Sequence, residues 1–337
     1  MPSRTKVSLP ESTVTDLVRT LLPDRGAVTE VRELTAGMFN AGYAVTCADG
    51  SRAMLKIAPP DDVPVLSYEH GLMRTEADFF RRSAGVIPAP PVLAYDTSRT
   101  VADRDVLVLG FLDGAPLNTA RRSLSTEQRA AVQRELGGVV ARLSTITGTR
   151  FGYDRADGSL SGDTWSAAFE QMVAAVLTDA EHYRVRLPRA ARNLPESVRR
   201  AAADLDVVQT PSLVHFDMWQ GNIFVRAADG TAGIEGVIDG ERAFWGDPLA
   251  DLVSTALFGD PRRDSDFLAG YAAAAGHPLD LGPAAQLRLA FYRAYLDLIM
   301  IVEGAPRGYR GVEQWMTRTY VRTHLARQLR LIGRSVG

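Results

Sequence analysis

The chain has 337 residues, 46% of them apolar and 23% charged, with a net charge of −2. That length accommodates two lobes, each with its own core. No basic excess marks a nucleic-acid binder, and the single cysteine, Cys47, excludes an internal disulfide and a cysteine metal cluster. The first residues lack the apolar segment of a signal peptide. The longest apolar run near the C-terminus, Leu298 to Val302, is too short to span a bilayer. A cytoplasmic protein without a membrane partner, monomeric or homodimeric, is therefore expected.

Ser12 to Leu22 reads as an amphipathic helix closed by Pro23. From Val31 the pattern becomes strand-like and passes through a small-residue loop, Ala36 to Gly42, that contains Gly37 and Asn40. An Asp49-Gly50 turn follows, then the apolar run Ala53 to Ile57. Strand, loop, strand, turn and strand predict a three-stranded antiparallel meander. The glycine loop could lie over phosphates with its amides, although two glycines are also what a plain turn would use. Lysine is scarce: only Lys6 and Lys56 occur beside many arginines. Lys56 interrupts the apolar run, and a compact ammonium suits a phosphate or carboxylate at close range.

Leu66 to Ala84 predicts one helix, ended by Gly85. It carries two glutamates, Glu69 and Glu76. Glu76 precedes Phe80 by one turn on the packing half, so it is the expected partner of Lys56. Pro88, Pro90 and Pro91 enforce an extended stretch. Val92 to Tyr95 and Val106 to Leu109 read as strands, and Gly110 to Leu117 marks a change from sheet to helix. The expected boundary lies at 112/113, with residues 1–112 as a nucleotide-binding lobe and 113–337 as a helical lobe.

Beyond the boundary most of the chain reads as helix. Ser125 and Gln128 form a capping box. Asp163 or Thr164 caps a helix through Leu177, and Pro195 to Leu205 is polar and arginine-rich. Leu213 to Asp239 then places His215, Asp217 and Asn222 in one polar loop. A hairpin turning at Asp229-Gly230 returns the chain to a lone carboxylate, Asp239. Three further helices follow, around 266–275, 284–302 and 312–332.

The order of parts is that of protein kinases: glycine loop, strand lysine, helix glutamate, hinge, H-x-D-x-x-x-x-N loop, hairpin and I-D. Phosphoryl transfer needs a cation on the nucleotide phosphates (Lys56), magnesium ligands (Asn222, Asp239) and a base for the acceptor hydroxyl (Asp217). His215 is assigned a packing or hydrogen-bonding role. The H-R-D arginine, the D-F-G phenylalanine and an A-P-E segment are absent, which disfavours a protein kinase. A catalytically silent nucleotide-binding sensor or scaffold would be expected to lack one of these four groups, and none is missing.

Leu213 to Asn222, Val237-Ile238-Asp239 and Gly246-Asp247-Pro248-x-x-Asp251 together resemble the aminoglycoside phosphotransferase / choline kinase-like family. Leu55-Lys56-Ile57, Glu76, Gly85 to Pro90 and Gly110 to Gly114 match it too, so the resemblance spans roughly residues 30 to 300. It implies an α+β, protein-kinase-like two-lobe fold and an enzyme that uses Mg2+ and ATP or GTP. The acceptor would be a hydroxyl of an antibiotic, sugar or related metabolite. It further implies that Glu76 holds Lys56 on the phosphates and that the backbone of Leu109, Phe111 and Leu112 faces the adenine. His215, Asp247 and Asp251 would brace the catalytic loop. Phe216 stands where the family's motif has glycine, and Gly240 stands where an aromatic is common. Acidic residues that could line an acceptor cleft are Asp163, Glu241, Asp297 and Glu303.

Overall fold

The computed structural model describes residues 4–35, 37, 39–309 and 311–336, with Glu313 as backbone only. Ala36 and Met38 of the glycine loop lie outside the described residues. Helix α1 (Glu11–Leu21) precedes strands β1 (Val28–Leu34), β2 (Ala41–Cys47) and β3 (Arg52–Ile57). After α2 (Leu72–Ser83), strands β4 (Val92–Asp96) and β5 (Val106–Gly110) complete a five-stranded antiparallel sheet in the order β1-β2-β3-β5-β4. The meander forms in the expected order, because Asp49 and Gly50 close the β2–β3 turn around the Asp49 carboxylate, which accepts from the Ser51 amide.

The two faces of this sheet decide where Lys56 points. Side chains alternate along a strand. Ala53, Leu55 and Ile57 of β3 and Val106 and Val108 of β5 share a core with Val14, Leu17 and Val18 of α1. Leu107 and Leu109 join a second, larger core with α2 and the later helices. Lys56 shares the second face, so it is aimed toward α2.

Helix α2 starts later than the sequence suggests. Ser67–Glu69 is a separate 3-10 turn, and Gly71 at φ 80° breaks the chain direction before Leu72. A left-handed residue cannot continue a right-handed helix, and glycine adopts that geometry at least cost.

The linker forms a short strand, β6 (Ala115–Pro116), then α3 (Leu117–Ala120) and α4 (Thr126–Leu143), capped by Ser125 as expected. Strands β7 (Phe151–Gly152) and β8 (Ser161–Gly162) lead to α5 (Trp165–His182), whose cap is Thr164 and not Asp163. The arginine-rich stretch is two short helices, α6 (Leu194–Arg200) and α7 (Ala202–Leu205). Strand β9 (Ser212–Val214) precedes the hairpin β10 (Ile223–Ala228) and β11 (Thr231–Val237), and β12 (Phe244–Gly246) follows it. The last helices are α8 (Leu252–Thr255), α9 (Ser265–Ala275), α10 (Pro283–Val302) and α11 (Val312–Val336).

Two small sheets set the hairpin in place. Strand β10 pairs with β11 on one side and with β6 on the other, and β12 pairs with β9 and β7. The loop between β9 and β10 is thus held at both ends, and the end of β11 lies beside it.

Candidate active site

The Lys56 ammonium joins three segments distant in sequence. It donates to both oxygens of Glu76, at 2.7 and 2.8 Å, and to Oδ1 of Asp239 at 2.5 Å. Glu76 is fully buried and Lys56 is 7% exposed. Burial alone would favour neutral forms; the two carboxylates nevertheless carry the lysine above its ordinary pKa. Burial pushes Glu76 upward against the pull of Lys56, whereas the lysine holds Asp239 below its ordinary value. Glu69 takes no part. Its carboxylate accepts from the Leu66 amide and pairs with Arg307.

The loop after β9 is braced from beneath. Oδ1 of Asp251 accepts the amides of His215 and Phe216 at 3.0 and 2.8 Å, and Ser254 accepts the Met218 amide. Burial lifts Asp251 to about 7 against the pull of those two amides. Nδ1 of His215 accepts the Asp217 amide at 3.1 Å, while Nε2 donates to the Ile238 carbonyl at 2.9 Å. Only the neutral Nε2–H tautomer makes both bonds. His215 therefore ties the backbone before Asp217 to the backbone before Asp239.

Asn222 donates its amide to the Asp217 carbonyl at 2.9 Å, which leaves its oxygen free among the described contacts. The Ile238 amide donates to the Asn222 carbonyl, so Asn222 and Asp239 are neighbours through the hairpin. Carboxylate oxygens of Glu76, Asp239 and Glu241 lie within 4.8 Å of one another. Hard oxygen donors of this kind suit Mg2+, and Asn222, Asp239 and Glu241 are the residues able to hold it. Glu76 has both oxygens committed to Lys56. Burial lifts Glu241 to about 8, the charges of Asp239 and Glu76 adding to the effect against Lys56. A bound cation would reverse that trend.

Other predicted residues fall at the rim. Asn40 is buried and donates to Glu241 at 3.0 Å, while the exposed Gly37 offers its carbonyl to Lys6 at 3.3 Å. Leu109 is buried in β5, and Leu112 packs against Gly236. Arg52 lies over the Phe111 ring at 4.5 Å. The backbone groups of Phe111 and Leu112 make no hydrogen bond among the described residues, so a flat ligand could use them. Asp247 departs from the expected bracing: it caps Leu249 and binds Arg288 and Tyr292 of α10, each at 2.8 Å, and among the described residues none of its side-chain hydrogen bonds reaches the loop that carries Asp217. The Gly246-Asp247-Pro248 turn directs the carboxylate toward α10, leaving Asp251 as the loop's brace.

Sequence reasoning missed a cation beside Asp217. Nε of Arg242 lies 3.9 Å from Oδ2 of Asp217, and its Nη2 donates to Glu303 at 2.8 Å. Glu303 also pairs with Arg307, and the Arg307 guanidinium lies 5.1 Å from the Phe39 ring of the glycine loop. Burial raises the Asp217 carboxyl, and Arg242 opposes it. Arg242 follows Asp239 by three residues in a turn, and no spacing rule singles it out. Of the four acidic candidates, Glu303 belongs to this cluster and Glu241 to the carboxylates around Asp239. Asp297 is instead held by His324 at 2.7 Å, and Asp163 is an exposed neighbour of Arg150.

The two departures from the motif have physical accounts. Phe216 has φ +62°, the left-handed region that glycine occupies freely. Its ring is fully buried against Phe244 and Tyr295, with centroids 5.1 and 5.6 Å away. Aromatic packing thus offsets backbone strain. At Gly240, an added Cβ would meet the Phe79 ring at 2.4 Å. Helix α2 delivers an aromatic to that space, and the same ring meets the His215 edge at 5.0 Å.

A titration follows from His215. Burial lowers its pKa to about 4, although the Ile238 carbonyl and Asp239 favour its charged form. The unfolded chain therefore binds the proton first, at about 6.5. His215 contributes stability in full above that value, and the contribution is lost as pH falls toward 4. Lowering the pH from 7 to 5 is expected to cost about 2 kcal/mol through this group. Urea unfolding at the two values should show a correspondingly smaller loss in His215→Gln; equal losses would rule the assignment out.

Comparison with known proteins covers most of the chain. Residues 30–291 match the profile of the phosphotransferase enzyme family. A probable ketoamine kinase of Lactiplantibacillus plantarum is 26% identical over 279 residues, which are 80% of this chain and 86% of that protein. Among solved structures, a putative fructosamine-3-kinase from Thermobifida fusca aligns with a TM-score of 0.66 at 22% identity, covering 94% of this chain and all of the other. A thermostable mutant of aminoglycoside phosphotransferase APH(4)-Ia, in complex with AMP-PNP and hygromycin B, aligns at 0.61 with 16% identity, covering 95% and 98%. At these identities the solved structures show the shared fold.

Proposed function

The chain belongs to the phosphotransferase enzyme family, and from that premise we propose that it transfers the γ-phosphoryl group of ATP or GTP to a hydroxyl of a sugar-like small molecule. The observation that carries this reading is the meeting of Lys56, Glu76 and Asp239 within 2.8 Å, beside the loop that holds Asp217 and Asn222. Lys56 neutralises the nucleotide phosphates, and Glu76 fixes its position. Asn222, Asp239 and Glu241 hold Mg2+, which screens charge on the phosphates when bound. Asp217 orients the acceptor hydroxyl and takes its proton as the oxygen bonds to phosphorus and the nucleoside diphosphate leaves. Leu109, Phe111 and Leu112 face the base of the nucleotide. Residues 1–112 serve the nucleotide and 113–337 the acceptor.

Charge near Asp217 bears on the acceptor class. Arg242 and Arg307 neutralise Glu303 and Glu69 there. A polycationic acceptor would meet the Arg242 guanidinium beside the base, with Arg307 next to it across Glu303, so a neutral or weakly charged hydroxyl compound is favoured. A ketoamine, the substrate class in the name of one relative, is a suitable first choice.

The test is nucleotide consumption with magnesium across ketoamines, neutral sugars, macrolides and aminoglycosides, with Asp217→Ala as the blank. Turnover that depends on a neutral acceptor and vanishes in the blank is expected. Preference for aminoglycosides would overturn the acceptor class. Nucleotide binding without turnover on any acceptor would favour a silent sensor.

A further inference from the structure

The second half of α11 is anchored by buried apolar side chains, whereas in the first half Tyr320 meets the Phe258 ring at 4.9 Å and still stands largely in solvent with its apolar neighbours. Val321, Leu325, Leu329 and Ile332 are buried at helical spacing, and His324 is tied to Asp297 of α10. Before them, Val312, Trp315, Met316 and Tyr320 are 75, 67, 60 and 55% exposed. They are four of the five most exposed large apolar side chains among the described residues. Their spacing of three and four places them on one side of the helix.

Arginines follow directly. From Gln314 to the C-terminus α11 contains Arg318, Arg322, Arg327, Arg330 and Arg334 and no acidic residue. Tyr183 to Pro195 contains Arg184, Arg186, Arg189 and Arg192, again with no acidic residue. Among the described residues none of these arginines has a carboxylate partner. Burial and the neighbouring Arg318 pull Arg322 below its ordinary pKa, as expected where cations crowd together. Pro188 lines a groove of about 560 Å³ together with Trp315, Arg318, Arg322 and Arg330, and the turn that carries Arg189 and Arg192 packs against α11. A chain of net charge −2 thus concentrates positive charge beside an apolar tip.

We propose that this face docks on an anionic phospholipid surface. The apolar tip enters the boundary between headgroups and acyl chains, and the guanidiniums bind headgroup phosphates. Three alternatives fit less well. A second copy of the same face would oppose arginine to arginine. A nucleic-acid backbone would satisfy the arginines but gives Val312 and Met316 nothing to bury against. Among the described residues no helix is long and apolar enough to cross a membrane, so the contact is peripheral. This inference does not depend on the proposed reaction.

The experiment is co-sedimentation of the full chain with phosphatidylcholine vesicles, with and without phosphatidylglycerol. Binding only to the anionic vesicles, weakening with salt, is expected. Each arginine near such a surface is worth roughly a factor of five in partitioning, so Arg318→Glu with Arg322→Glu should reduce it at least about 30-fold. Trp315→Ser with Met316→Ser should reduce it by about tenfold or more. Trp315, Met316 and Arg318 are exposed, and the half-buried Arg322 has no carboxylate partner among the described residues, so phosphotransferase activity and the unfolding midpoint should not change. Equal binding to both vesicle types, or binding that survives the charge reversals, would overturn the proposal. So would salt-sensitive binding of an oligonucleotide without vesicle binding. A dimer dissociated by Met316→Ser would assign the face to a second copy.

Discussion

Replacing Asp217 by alanine is expected to lower kcat by about 10²–10⁴-fold while nucleotide still binds, the range typical of losing a general base. The side chain is partly open, 25% exposed, at the head of a loop whose backbone Asp251, Ser254 and His215 already hold. The substitution therefore removes a carboxylate without removing a support. Calorimetry with nucleotide separates binding from turnover, and activity within about tenfold of wild type would refute the assignment. A pH profile adds a second readout. The carboxyl must be ionised to accept a proton, and burial has already raised its pKa against the pull of Arg242. Arg242→Met removes the main charge that opposes burial, so the acidic limb of the profile should move to higher pH. An unmoved limb would show that Arg242 does not act on Asp217.

Lys56→Ala should abolish nucleotide-dependent turnover, and Lys56→Arg should fail to restore it. The ammonium bonds carboxylates on α2 and at the end of β11 at 2.5 to 2.8 Å, in a site 7% exposed. A planar guanidinium cannot occupy that space as a single point between two carboxylates. Removing the lysine also leaves Glu76 buried without its counter-charge, a loss expected to cost about 3–5 kcal/mol. Glu76→Gln in the alanine background should recover part of that stability without activity, because it removes the unpaired charge and supplies no cation. Unfolding midpoints and kcat/KM for the nucleotide are the measurements. Full activity in Lys56→Arg would show that any cation serves there.

How much of this was legible in the chain differs by element. The meander, the capping box at Ser125 and the hairpin were readable because each depends on near neighbours: turn residues, a cap and strict alternation. The break before α2 was not read, since Gly71 looks like a tolerated helix glycine until its positive φ is known. The choice between Glu76 and Glu69 rested on helix facing, and the contacts of the folded chain separate the two residues plainly.

Arg242 shows where reading in one dimension ends. Its neighbours are Asp217, Glu303 and, through Glu303, Arg307, which lie on a loop, at the end of α10 and beyond it. No local spacing brings those charges together; packing of the helices does. Asp247 illustrates the reverse, a residue prominent in sequence whose carboxylate turns to Arg288 and Tyr292.

By itself, then, the sequence determined the kinds of chemistry present and their order: a lone strand lysine, an acid-and-amide loop, and an acid closing a hairpin. It could do so because each such group stands out against an apolar or periodic background. Only the tertiary structure decided which charges meet. It paired Glu76 with Lys56, assigned Asp251 to hold the loop, and put Arg242 beside Asp217. Long-range contacts depend on sheet faces and helix packing, and the strength of each charge depends on the burial those contacts create.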